Sequence, residues 1–333
     1  MTIKFDGMNR RQILAATGAT ALTAGIGIGP AMAQAGTTIR QGYQTNIWGM
    51  PTYYLMKSGY LEKRGIKTED FAVPSGNLTM QQMVARQVDM GTYAGPSLLI
   101  GHDKGGLVAI AQIETVGATA GVVVRKDLGI TKLSDLKGKK IANQTGSSIG
   151  NIFVDQVGPA NGLKKGDYQE VRMNVDNMIA ALTAKTVDAM VNIEPYNAIA
   201  EAEGLGAIII NMEKYDNVPV FMAATPDFVQ KHPDAVVAYL KAWLDVKKDF
   251  KENPKKVSDV IYSFFTSKGY SMKPETFAKA MGRVTVDPGF PKDLVPYMTK
   301  HAEVLLQEKK ISAMPDFKKV LRTEFMDKAQ AGS

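Results

Sequence analysis

The residues best suited to chemistry in this chain are small hydroxyls and amides set beside glycines, where an apolar run gives way to a helical pattern. Thr145-Gly146-Ser147-Ser148 follows the short run Ile141-Ala142-Asn143 and precedes Ile149, Ile152, Phe153 and Val157, which fall on one helical face. Ser75-Gly76-Asn77 repeats the arrangement after a first extended run and before Met80, Met83 and Val84. Strand, then Gly and Ser, then helix gathers unpaired backbone N–H groups at a helix N-terminus, where the helix dipole favours an anionic or strongly accepting ligand group. Such a device binds without a reactive side chain. The same hydroxyls also serve as ordinary helix caps, and the two roles can coexist.

Other chemistries find less support. The chain has no cysteine, which excludes disulfides and thiolate metal sites. His102, His232 and His301 lie far apart and outside any metal-ligand spacing, so no metal and no cofactor is expected and each histidine reads as a satisfied structural residue. An enzyme would need a nucleophile with a base, a carboxylate pair or a metal cluster, and none is spaced convincingly. The formal charge of +7 is spread thinly, with no basic stripe interleaved with aromatics, so nucleic acid is not an expected partner.

The elements that position these residues begin after an export leader. Arg10-Arg11, an uncharged run over 12–30 and the small-residue site Ala31-Met32-Ala33 follow the order of a signal peptide cleaved near Ala33. The paired arginines resemble a twin-arginine leader in part, and the general secretory route also fits. Removing residues 1–33 leaves 300 of 333 and a charge of +5, more chain than one core usually serves, so two lobes are expected. Residues 38–44 read as a first strand, which places Trp48 at a strand's carboxyl end, where open α/β sheets bind ligands. A second strand, a helix and Val88–Tyr93 follow. The chain is expected to cross to a second lobe near Val124-Arg125 and to return at 218–224, and almost everything beyond Thr225 reads as helix. That assigns 34–124 to the first part of lobe 1, 125–218 to lobe 2 and 219–333 to the rest of lobe 1. An internal echo supports two lobes of like build: Met83-Val84-Ala85-Arg86-Gln87-Val88-Asp89 parallels Leu182-Thr183-Ala184-Lys185-Thr186-Val187-Asp188.

Arg125-Lys126-Asp127-Leu128-Gly129-Ile130, then Asp135-Leu136-Lys137-Gly138-Lys139-Lys140-Ile141-Ala142 and Gly146-Ser147, resembles the second-lobe entry of periplasmic solute-binding proteins of the nitrate, sulfonate and taurine ABC-importer group, relatives of the thiamine-precursor binding proteins. Gly59-Tyr60 to Gly65-Ile66, Val88-Asp89, Val187-Asp188 and Glu194-Pro195-Tyr196 fit the same pattern, with Ile193 where the family often has tryptophan. The resemblance covers roughly residues 38–250. It implies an α/β, two-lobed type II binding-protein fold: two Rossmann-like lobes joined by a two-strand hinge, with a helical C-terminal extension packed on lobe 1. It also implies a periplasmic, monomeric protein that delivers a small-molecule ligand to an ABC permease in the inner membrane. Carried over by position, the ligand residues would be Trp48, Gly49, Ser75, Gly76, Asn77, Tyr93, Ala94, Gly95, Thr145, Gly146, Ser147, Ser148, Asn192 and Glu194.

Each residue also has a structural reading. Trp48 suits stacking on an apolar part of the ligand or plain core, and Tyr93 likewise, with its hydroxyl as a donor. Glu194 suits a ligand amine or a structural pair with Arg172 or Lys185, and Asp89 and Asp188 suit strand ends. The expected ligand is a small organic anion with an apolar portion: a sulfonate, a taurine-like zwitterion or an aromatic carboxylate. The alternative is an exported enzyme, or a protein that binds or makes a thiamine-precursor pyrimidine on the same fold. His102 is the histidine nearest a cleft segment in that reading.

Overall fold

The computed structural model describes residues 36–270 and 272–332; the leader expected over 1–33 lies outside the described residues. Two sheets organise the chain. The first joins β2 (Ile66–Val73), β1 (Thr37–Gln44), β3 (Met90–Ala94), β10 (Pro219–Ala224), β4 (Val108–Thr115) and β11 (Thr285–Gly289), in that order. The second runs β7 (Gln169–Arg172), β6 (Lys140–Asn143), β8 (Ala189–Ile193), β5 (Ala120–Arg125), β9 (Gly206–Asn211). In each sheet three parallel strands are followed by one antiparallel strand, β10 or β5, that the chain contributes after visiting the other sheet.

The strands are read easily because most are buried on both sides. Residues 90–94, 189–193 and 219–224 are buried throughout, which matches their nearly continuous apolar sequence. Helix α1 (Met50–Lys57) takes Pro51 in its first turn, where the missing N–H costs nothing. Helix Pro233–Glu252 buries Val236, Tyr239, Leu240, Trp243 and Val246 along one stripe and stops before Asn253-Pro254. Its neighbour Pro254–Ser267 is tied down at Asp249, whose carboxylate accepts from Tyr54 and Tyr60 at 2.6 Å and from Lys256 at 2.9 Å.

Two expectations need correction. Residues 120–125 pair with β8 and β9, so the chain leaves the first sheet after Thr115 and crosses through Val116–Thr119, earlier than the crossing expected near Val124-Arg125. The C-terminal part, expected to be almost all helix, also contributes an unexpected strand, β11, which extends the first sheet by pairing with β4. Pro288 lies inside that strand, which a sheet tolerates only at its edge, and this is why T-V-D-P-G does not look like a strand.

The internal echo is a repeated local structure. Arg86 and Lys185 both hold positive φ, at 60° and 57°, where a helix gives way to a strand. Asp89 accepts the backbone N–H of Arg40 at 3.0 Å, and Asp188 accepts that of Lys140 at 2.9 Å. Arg40 then donates to the Arg86 carbonyl and Arg125 to the Lys185 carbonyl. Each aspartate thus pins the parallel pair, β1 with β3 or β6 with β8, toward the amino ends of β3 and β8.

Candidate ligand-binding site

At the opposite, carboxyl ends of these strands the full parallel register brings the loops together. Gln44 pairs with Val73, so the β1 loop meets the β2 loop, and Asn46 joins them by donating to Pro74 O at 3.1 Å while accepting Trp48 N–H at 3.0 Å. Helix α2 (Gly76–Val84) starts there. Its N-cap, Ser75, makes no side-chain cap bond, and its carbonyl takes Leu78 and Thr79, leaving the N–H groups of Gly76 and Asn77 without helical partners. Helix α3 (Gly95–Gly105) opens after β3 with Gly95-Pro96-Ser97. From the second sheet, β6 leads into α4 (Ser148–Ile152), capped by Ser147, whose Oγ accepts from Gly150 N at 3.3 Å and donates to Gln144 O at 2.7 Å.

The starts of α2, α3 and α4 face one another across an inner cavity of about 30 Å3, bounded also by Gln44, Trp48, Gln144 and Ile193. That is room for roughly two waters, or one small headgroup. No charged side chain lines it. The side chains of Ser75, Asn77, Ser97 and Ser148 have no partner among the described residues and are free to donate. Gln44 is oriented for the same task, since its Oε1 accepts from Thr92 at 2.9 Å and its Nε2 lies where a Cβ on Gly76 would come within 2.7 Å. Converging N–H groups, hydroxyls and amides with no carboxylate in the lining are chemically suited to a group that accepts hydrogen bonds and carries negative charge.

Seven expected residues therefore share the cavity: Trp48, Ser75, Gly76, Asn77, Ala94, Ser147 and Ser148. Trp48 is 6% exposed, and its indole N–H is spent on Thr119 Oγ1 at 2.7 Å, so its ring is a wall fastened to the crossing segment Val116–Thr119. The other seven lie elsewhere. Tyr93 is fully buried in the apolar cluster that also holds Met80, Leu98, Phe221 and Met298 and does not line the cavity; its hydroxyl has no partner among the described residues, and burial pushes its pKa upward. Gly49 packs on the end of β1, where a Cβ would fall 1.9 Å from Gln44 O, and Gly95 packs against Met298. Asn192 donates to Val175 O at 3.0 Å and accepts Ile193 N–H at 2.8 Å, holding the second sheet's loop. Thr145 has a buried hydroxyl with no partner, and Gly146, at φ +88°, lines an adjoining outer cavity.

Glu194 is also structural, with a partner other than those expected. It is fully buried, accepts Ala198 N–H at 3.0 Å and pairs with Arg283 from the C-terminal part, while Arg172 sits beside Glu170 and Lys185 beside Asp127. Burial raises its pKa against the opposing pull of Ala198 N–H and Arg283. His102 donates to Leu107 O at 3.0 Å, away from the cavity. His301 bonds Asp216 at 3.3 Å in a neighbouring cavity that Ser148 also lines, but no hydrogen bond joins Ser148 to His301. The residues missed at the sequence level are Gln44, Asn46, Ser97, Gln144 and Ile149, while Ile193, noted there only as standing in a tryptophan's place, lines the cavity as well; Gln44 and Gln144 stand at the ends of equivalent strands, β1 and β6, and that equivalence is the signal that could have found them.

Residues 46–257 match the family model described as NMT1/THI5 like, and the chain belongs to that family. It is 28% identical over 232 residues to a chain of Brucella abortus (strain 2308) named as a binding protein, covering 68% of this chain and 71% of that one. It is 25% identical over 251 residues to a chain of Brachyspira hyodysenteriae named as an ABC transporter periplasmic binding protein, covering 70% and 71%. Among solved structures, the alkanesulfonate-binding protein SsuA from Xanthomonas axonopodis pv. citri bound to MOPS superposes with a TM-score of 0.73 at 17% identity, covering 87% of this chain and 99% of that chain. The fold is the two-lobed fold of periplasmic binding proteins.

Proposed function

We propose that this protein is the extracytoplasmic solute-binding component of an ABC importer, which captures a small organic anion between its two sheets and passes it unaltered to a permease in the inner membrane. The observation that carries this reading is the uncharged, donor-lined cavity at the meeting of α2, α3 and α4. Donors there are already oriented, so binding costs little reordering, and closing the lobes removes competing water. The Brachyspira relative's name and the MOPS-bound neighbour support the same class. The protein acts as a monomer in the periplasm, and its leader is cleaved near Ala33.

A thermal-shift panel tests the reading, because a ligand that binds only the folded form raises the melting temperature by mass action. Sulfonates and carboxylates are expected to raise it; a shift with neutral or cationic compounds alone overturns the proposal. Ser148→Asp, which places a like charge against the headgroup, is expected to abolish the shift. Mass spectrometry of the released ligand should return the compound unchanged, and accumulation of a product would point to an enzyme instead.

A further inference from the structure

The inner cavity accommodates a headgroup and little else, so the remainder of a ligand has to occupy a neighbouring space. Two cavities adjoin it. One, of about 320 Å3, shares Ser148 with the inner cavity and is lined by Asp155, Asp216 and Glu308 as well as Lys300 and His301. The other, of about 530 Å3, shares Asn77, Ser97 and Ser148 and is lined by Lys104, Lys309 and Lys310 with no acidic side chain. Lys310 is offset by Glu308 at 2.7 Å, whereas Lys104 and Lys309 have no carboxylate within ion-pair reach among the described residues. Val84, Ile100 and Leu305 add apolar surface to the lining of the same cavity.

We propose that the ligand is a dianion with an apolar spacer. This rests on the anion-binding reading above and deepens it. One charged end sits on the helix starts in the inner cavity, the spacer crosses Ile100 and Leu305, and the second charged end lies between Lys104 and Lys309. A monoanion of the same skeleton reaches the inner cavity but has no charge to place beside Lys104 and Lys309. The acidic neighbour disfavours the alternative path for the second charge.

Calorimetric titration of the purified protein tests this with matched pairs. Butanesulfonate is compared with 4-sulfobutanoate, and alkanoates with α,ω-alkanedioates carrying two to six methylenes. At least one dianion is expected to bind about tenfold tighter than its monoanionic partner, with the gap narrowing at high salt as the exposed lysines are screened. Lys104→Gln combined with Lys309→Gln is expected to bring the dianion down to the monoanion's affinity. Equal affinities within every pair overturn the dianion proposal while leaving anion binding intact. Loss of both members of every pair, with binding of neutral compounds instead, overturns the anion reading and this one with it.

Discussion

At the scale of single residues, the site depends on small side chains that leave room for backbone donors. Gly76 is the clearest case, because a Cβ there would press within 2.7 Å of both Gln44 Nε2 and Tyr93 Cβ. Gly76→Ala is expected to displace the Gln44 amide and weaken ligand binding about tenfold by calorimetry. Glu114 shows the opposite economy. It is fully buried on β4 opposite Val220 and Val286, both carboxylate oxygens lack partners among the described residues, and burial raises its pKa well above the ordinary value. The folded state therefore holds a proton that the unfolded chain releases above about pH 4.3, so this residue makes stability fall as pH rises from there toward its folded pKa. Glu114→Gln should melt a few degrees higher than the parent at pH 7, with the gap closing toward pH 4; a constant gap across that range would refute the argument.

At the scale of elements, the strand ends did most to make the site legible. The pairs Ser75-Gly76 and Ser147-Ser148 could be picked out because each follows a strand and opens a helix, a local pattern carried by neighbouring residues. Tyr93 and Asn192 misled for a related reason: successive side chains on a strand point to opposite faces, and one residue's shift decides between core and cavity. Ala94, beside Tyr93, lines the cavity, and so does Ile193, beside Asn192. The Glu194–Arg283 pair ties the loop after β8 to the segment before β11, two elements of different sheets. Arg283→Ala leaves a buried carboxylate unpaired and is expected to cost about 3 kcal/mol, the lower end of the usual range because Arg283 is 29% exposed. Adding Glu194→Gln should recover part of that loss in urea unfolding.

At the scale of the whole molecule, the return crossing is held by Asp216. Its carboxylate accepts from Tyr297 at 2.8 Å and Val218 N–H at 2.7 Å, and it meets His301 at 3.3 Å and Gln156 at 3.4 Å. Burial opposes its charge, but His301, Val218 N–H and Tyr297 outweigh that and lower its pKa. The resulting stability is present above the unfolded value of about 3.9 and is lost as pH falls through the lower folded value. Asp216→Asn should lower the melting temperature at pH 7 and differ less and less from the parent as the solution is acidified below pH 4; a difference independent of pH would show that the charge is not what counts. By itself, the sequence determined the α/β class, the two like halves and the hydroxyl-bearing helix starts, since apolar runs, helical periodicity and Gly-Ser turns are all written in nearby residues. Only the tertiary structure decided that residues 120–125 belong to the second sheet, that Arg283 answers Glu194, and that Gln44, Ser97 and Gln144 complete the cavity. Those facts depend on which segments, distant in the chain, come to lie side by side, and no local pattern encodes a partner 89 residues away.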